Sequence, residues 1–194
     1  MNKVLAKKTS SFSELVSSRK PFGFATNFTE FSETKKNDND IKIYANHATG
    51  YVDVKKVIRN KEWVDCWKIF VPKAIGSGET SVDRIKPIIG GPGTCCTETY
   101  IVFGPFSSKE EAHNAAIYTQ TRFFLFMLGL KKITQDATAK VYQFVPSEDF
   151  SEKSEIDWSK SVQDIDTTLF KKYNLTPEEI KFVNETVGIT VEVN

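Results

Sequence analysis

Polar and basic side chains that could bind a polyanion follow the most apolar stretch of the sequence. Within ten residues, the segment 131–140 contains Lys131, Lys132, Thr134, Gln135, Thr138 and Lys140. Lysine ammonium groups neutralise phosphates, and a glutamine side chain can form two hydrogen bonds with the edge of adenine. A solvated helix end followed by a loop has the same composition, so the pattern favours a nucleic-acid contact and a plain surface about equally.

A second set of basic residues falls in the segment 73–94. Its members are Lys73, Arg84 and Lys86. Five of the ten glycines also occur there, and the apolar residues show little periodicity, so we expect a long irregular loop. Such loops in compact domains are usually functional or mobile. Weaker candidates for polyanion contact are Arg19-Lys20 and the Asn46-His47 turn.

The sequence shows no complete catalytic or metal-binding pattern. His47 and His113 are far apart and no Cys-x-x-Cys occurs, so no zinc site is expected. The adjacent Cys95 and Cys96 are expected to be structural, with at least one buried, because neighbouring strand residues point to opposite faces. The stretch Asp65–Lys68 has the acid and lysine of a magnesium nuclease without a convincing third member. We therefore predict no catalytic residue, no metal and no cofactor for this chain.

The elements that position these residues combine helices and strands. Alternation over residues 41–44, turn residues at 46–50 and the pair 51–52 predict a hairpin. Further strands are predicted at 67–71, 98–103 and 141–145, and helical spacing with a Ser107/Ser108 capping box predicts one long central helix over 108–130. Short helices are expected at 166–173 and from Thr176 onward. Without a strict βαβ alternation, the fold is predicted to be α+β, with a mixed or antiparallel sheet and a small C-terminal helical segment.

Composition and charge narrow the class of protein. The chain has 194 residues with 40% hydrophobic and 26% charged residues, which suits a packed domain and excludes general disorder. Residues 147–194 hold eleven acidic residues and five lysines, a net charge of −6, which leaves +7 for residues 1–146. We predict a basic core at 1–146 with an acidic extension at 147–194 packed on it. Variation among solvated faces would also explain this asymmetry.

The location is expected to be the cytoplasm. Three cysteines make no disulfide framework, and the first ten residues lack the apolar region of a signal peptide. No apolar stretch is long enough to cross a bilayer, so no membrane partner is expected.

Six strings of the sequence carry a resemblance, and they cover residues Ser17–Gly23, Trp67–Ala74, Gly91–Tyr100, Thr134–Thr138, Val141–Pro146 and Leu169–Ile180. Together they resemble the C-terminal region of bacterial adenine-specific DNA methyltransferases from type II-like restriction–modification systems. The uncommon strings Cys-Cys-Thr-Glu-Thr-Tyr and Thr-Gln-Asp-Ala-Thr make the resemblance specific, and the set spreads over nearly the whole chain.

The resemblance implies a DNA target-recognition domain. In that family a separate catalytic domain binds S-adenosylmethionine and carries an Asn-Pro-Pro-Tyr type motif. No Asn-Pro-Pro string occurs here, so double-stranded DNA and a fused or separate methyltransferase domain are the expected partners. Two alternatives stay open: a restriction endonuclease module using acids such as Asp65 or Glu98, and a docking domain that contacts only the methyltransferase half.

Overall fold

Helices and small sheets both occur in the chain, which confirms the predicted α+β class. The computed structural model describes residues 2–7, 9–73, 87–130 and 139–187. The helices are α1 (Asn2–Lys7), α2 (Lys109–Tyr118), α3 (Arg122–Gly129), α4 (Val162–Lys172) and α5 (Pro177–Thr186). The strands are β1 (Asp40–Ala45), β2 (Ala48–Asp53), β3 (Trp67–Pro72), β4 (Ile88–Gly90), β5 (Thr94–Cys96) and β6 (Tyr100–Phe106).

The described chain divides into two compact units. Residues 15–73 and 87–113 form the first, called the sheet unit; those before residue 15 or after residue 113 form the second, called the helical unit. None of the described helices has the length and apolar character needed to span a membrane. The predicted functional division between residues 1–146 and 147–194 stays a prediction.

Two three-stranded sheets make up the sheet unit. In one, β1 lies between antiparallel β2 and parallel β5, and in the other β3 lies between antiparallel β4 and β6. The predicted hairpin is confirmed, because Ala45 pairs with Ala48 across a two-residue turn in which His47 has a φ of 54°. The segment 73–94 is predicted to be irregular, but its described part contains β4 and the first residue of β5, which corrects that expectation. Strand β4 has only three residues, and its two apolar residues, Ile88 and Ile89, are too few to show a strand pattern in the sequence.

The two sheets share one hydrophobic core. It includes Ile43 of β1, Phe70 of β3 and Val102 of β6, all fully buried. Cys95 and Cys96 are also fully buried, which confirms their structural placement. Burial raises the pKa of the Cys95 thiol to about 12, despite the nearby positive charge of Lys68, so the reactive thiolate is strongly disfavoured.

The predicted long helix over 108–130 is wrong, because two helices, α2 and α3, cover this span. Two buried threonines lie at the end of α2. Thr119 Oγ1 donates to the Ala116 carbonyl, and Thr121 Oγ1 donates to the Tyr118 carbonyl. Thr121 then caps α3 by accepting from the Phe124 amide. The apolar spacing runs through the break, so periodicity alone cannot reveal it, whereas threonine hydroxyls compete locally for backbone groups.

The predicted strand over 141–145 is also wrong, since Ala139–Phe144 forms a 3-10 helix. Val141, Tyr142 and Val145 are buried, and the Val145 amide donates to the Tyr142 carbonyl at 3.0 Å. Buried positions three and four residues apart suit a helical turn, although the letters VYQFV also have high strand propensity.

The C-terminal helices agree with the sequence prediction. Thr176 and Glu179 form a capping box at the start of α5, with Pro177 in the first turn. The rings of Phe123 and Tyr173 stack at 4.8 Å within the helical unit. Helix α4 begins at Val162, four residues before the predicted start, because Ser161 caps it.

Candidate nucleic-acid interface

Most of the predicted contact residues lie outside the described part of the chain. Lys73 and Lys140 are described. Lys140 is exposed in the 3-10 helix of the helical unit, and Lys73 follows β3 in the sheet unit, where it is half-buried. The residues outside the described ranges are Arg84, Lys86, Lys131, Lys132, Thr134, Gln135 and Thr138.

Lys73 belongs to a charged cluster centred on Glu98. The Nζ atom of Lys73 lies 3.7 Å from Glu98 Oε1, and the Nε atom of Arg19 donates to the same oxygen at 2.8 Å. The Glu98 side chain is only 8% exposed, whereas that of Arg19 is 67% exposed. One buried carboxylate therefore orients two basic residues that are far apart in sequence.

The electrostatics of Glu98 follow from this arrangement. Burial by itself would raise the pKa of the carboxyl group. The hydrogen bond and charge of Arg19 act in the opposite direction, as do the charges of Lys73 and Lys20, and the pKa ends below its usual value. Glu98 is thus an anionic anchor at neutral pH, which argues against its use as a proton donor.

Two short loops, residues 18–23 and 57–60, are joined by hydrogen bonds next to this cluster. Arg59 Nη1 donates to the Arg19 carbonyl at 3.3 Å, and Asn60 Nδ2 donates to the Pro21 carbonyl at 2.8 Å. The Ile58 amide donates to the Phe22 carbonyl at 3.3 Å. These links fix the two loops to each other; we call the exposed residues Arg19, Lys20, Ile58 and Arg59 the basic tip.

Local backbone geometry also shapes the basic tip. Lys20 and Asn60 have positive φ angles of 53° and 44°, and the Gly23 amide closes a turn onto the Lys20 carbonyl. Gly23 itself has a φ of 96°, and a Cβ atom there would collide with the Ile58 side chain. Glycine is therefore required at this position by both conformation and space.

The basic tip has the charge of an anion-binding surface. Arg19, Lys20 and Arg59 are exposed, and together with Lys73 and Glu98 they make four cations and one carboxylate, a net charge of +3. Guanidinium and ammonium groups on a fixed framework suit phosphate oxygens. The sequence marked Arg19-Lys20 as a weak candidate and missed Arg59 and the anchoring role of Glu98, since their contacts join segments 40 and 79 residues apart.

The nuclease alternative would need Asp65 and Lys68 at one site. Lys68 is fully buried, and its Nζ donates to the carbonyl oxygens of Val64, Cys66 and Gly91 at 3.0, 2.9 and 3.1 Å. Asp65, in contrast, is exposed. Within the described ranges, no three or more Cys, His, Asp or Glu side chains are grouped to hold a metal. Lys68 is therefore a structural cross-link between backbone segments.

The helical unit has an apolar groove of about 400 Å³ lined by α1, α3 and α5. Phe126 and Phe182 meet edge to face there, with ring centroids 5.9 Å apart. Phe182 is 59% exposed and Leu130, at the end of α3, is 40% exposed. Exposed apolar side chains grouped in this way are typical of surfaces that contact another macromolecule.

No protein-family model matches this chain, and no curated protein matches it in sequence.

Proposed function

We propose that this chain is the sequence-specific DNA-recognition domain of a bacterial adenine-specific DNA methyltransferase or restriction–modification enzyme. The observation that carries the proposal is the basic tip, where Arg19, Lys20 and Arg59 are exposed on two hydrogen-bonded loops. Fixed cations of this kind position a protein on the phosphates of a duplex. The resemblance of the strings Ser17–Gly23 and Gly91–Tyr100 to target-recognition regions supports the same partner, since they hold Arg19, Lys20 and Glu98.

In this role the chain holds double-stranded DNA and reads base edges. A methyltransferase domain, fused or separate, binds S-adenosylmethionine and methylates an adenine that it extrudes from the duplex. The chain contributes no catalytic group and works in the bacterial cytoplasm. Lys73 belongs to the phosphate-binding set, and Gln135 stays the predicted base-reading residue in the segment 131–140.

The proposal is tested by duplex binding of two charge-matched variants of the full chain. Replacing Arg19, Lys20 and Arg59 together with alanine should weaken binding to a random-sequence duplex at least about tenfold, because three phosphate contacts and their released counterions are lost. The control replaces Lys153, Lys171 and Lys181, which are exposed in the helical unit and carry the same total charge. Fluorescence anisotropy gives the two affinities.

The control variant should bind within about twofold of the wild type, since salt screens charges that make no contact. Equal losses in the two variants would show that only net charge matters and would remove the basic tip from the DNA surface. Thermal denaturation of both variants establishes that each is folded.

The apolar groove favours a second candidate function, a docking domain for the methyltransferase half. Phe182 and Leu130 would then be covered in the complete enzyme, and the isolated chain would have no affinity for DNA. Salt-dependent binding of duplex DNA by the isolated chain excludes this candidate as the sole function.

A further inference from the structure

Ile58 is an exposed aliphatic side chain among the cations of the basic tip. It is 72% exposed, which is the highest value among the large apolar residues that the structure describes as exposed. Its neighbour Val57 is fully buried and Arg59 is exposed, so the chain turns from the core to the surface at this position. An isoleucine exposed to this extent contributes little hydrophobic free energy to the folding of the chain, because most of its apolar area stays in water.

The position of Ile58 is fixed by contacts on both sides. Its backbone amide donates to the Phe22 carbonyl, and its side chain lies directly against Gly23, where a Cβ atom would collide with it. The next two residues are held by the bonds from Arg59 to the Arg19 carbonyl and from Asn60 to the Pro21 carbonyl. A β-branched side chain is also stiff about its first torsion. Ile58 is therefore an apolar side chain held in a fixed position, with cations on its own loop and on the neighbouring loop 18–23.

We infer that Ile58 makes an apolar base contact on duplex DNA, with the methyl group of a thymine in the major groove. This inference rests on the proposed function and adds a base-reading residue to it. Arg19, Lys20 and Arg59 bind phosphates, which places the tip at a groove edge, and Ile58 is the exposed apolar group on the same two linked loops. The thymine methyl is the apolar feature that a base pair exposes in the major groove.

A thymine contact suits this side chain better than insertion between base pairs. Insertion unstacks a step at a cost of a few kcal/mol, which other proteins offset by bending the duplex around a large surface. Ile58 extends only two carbons beyond its Cβ and is braced at its base by Gly23. A short, braced side chain reaches the groove edge of a base without separating the stack.

The test begins with selection of a preferred duplex by the wild-type full chain from a random pool. Each thymine of that duplex is then replaced singly by deoxyuridine, which removes only the methyl group. We expect one replacement to weaken wild-type binding about fourfold, the loss that corresponds to one buried methyl group. Ile58→Ala should weaken binding to the thymine duplex by a similar factor and leave the salt dependence unchanged.

The double change identifies the contact. With Ile58→Ala, the same deoxyuridine replacement should have no further effect, because the partner of the methyl group is already gone. Ile180→Ala is the matched control, since it truncates a second isoleucine, which is half-buried in α5 of the helical unit and does not line the apolar groove. It should leave both duplexes bound as tightly as by the wild type.

Two outcomes overturn the inference while leaving the proposed function intact. Independent, additive effects of Ile58→Ala and every deoxyuridine would show that Ile58 touches no thymine methyl. Equal loss on all sequences with no effect of deoxyuridine would make Ile58 an inserting wedge. Failure of the wild type to bind any duplex would instead contradict the proposed function itself.

Discussion

The ammonium group of Lys68 lies in the interior of the sheet unit, where it joins three backbone carbonyl groups. Burial lowers its pKa from the ordinary 10.5 to about 8, although the neighbouring Cys95, Cys66 and Cys96 thiols and Asp65 act in the opposite direction. The folded chain therefore loses this proton at a lower pH than the unfolded chain. Where the unfolded state binds more protons, the free energy of unfolding rises with pH.

Between pH 7 and pH 9, Lys68 should contribute a rise of on the order of 1 kcal/mol to the free energy of unfolding of the wild type. Lys68→Met removes the titrating group, so the free energy of unfolding of the wild type should increase relative to that of the variant by this amount between pH 7 and pH 9. Urea denaturation at several pH values in this window measures both curves. The buried thiols of Cys95 and Cys96 oppose the contribution of Lys68 within this window, because folding raises their pKa, so the prediction concerns the difference between the two curves.

Lys61→Met provides the control, since Lys61 is exposed in the same unit. It should keep the slope of the wild type. Parallel curves for Lys68→Met and the wild type would mean that Lys68 does not carry its proton in the buried position.

At the scale of secondary structure, the break between α2 and α3 depends on a cap and a buried carboxylate. Asp166 accepts hydrogen bonds from the Arg122 and Phe123 amides at 3.0 and 2.9 Å, so two further amides at the start of α3 are satisfied. Burial raises the pKa of Asp166, although both amides and the charge of Arg122 act against that shift. The start of α3 is therefore determined by partners from α4, which no local pattern contains.

Thr121→Ala should lower the free energy of unfolding by about 1–2 kcal/mol, since it removes the cap of α3 and a buried hydroxyl that donates to Tyr118. Ser161→Ala is the matched control, because Ser161 caps α4 in an exposed position. The Ser161→Ala variant should have a free energy of unfolding lower by about 0.5 kcal/mol, which is the lower end of the range for the loss of an N-cap. Urea unfolding of both variants makes the comparison, and an equal or smaller cost for Thr121→Ala would contradict the proposed origin of the break.

Elements with complete local signals were predictable from the sequence. The hairpin of β1 and β2 has alternation and turn residues, and α5 has its capping box and first-turn proline within four residues. The helix break and the 3-10 helix at 139–144 were not predictable, because hydrophobic spacing is the same with or without them. Their form depends on packing and on hydrogen bonds between distant segments.

At the scale of the whole molecule, basic residues occur in both compact units. The sequence analysis chose DNA-contact candidates only by how many basic residues lie close together along the chain. Lys73 and Arg19-Lys20 were visible as cations, but the pattern gave no sign that Glu98 brings them together. The contact of Arg59 with the Arg19 carbonyl crosses 40 residues. Short-range spacing therefore predicts which residues carry charge, while the fold decides which charges share a surface.

The central claim, that this chain binds duplex DNA through its cations, is tested most directly by affinity as a function of salt. Anisotropy of a labelled duplex with the wild-type full chain gives the dependence of log K on the logarithm of salt concentration. Contacts from Arg19, Lys20, Arg59 and Lys73 predict a slope of about −3 to −4, since each neutralised phosphate contributes about −0.9. Absence of binding at about 50 mM salt, or an affinity that does not change with salt, would contradict the account.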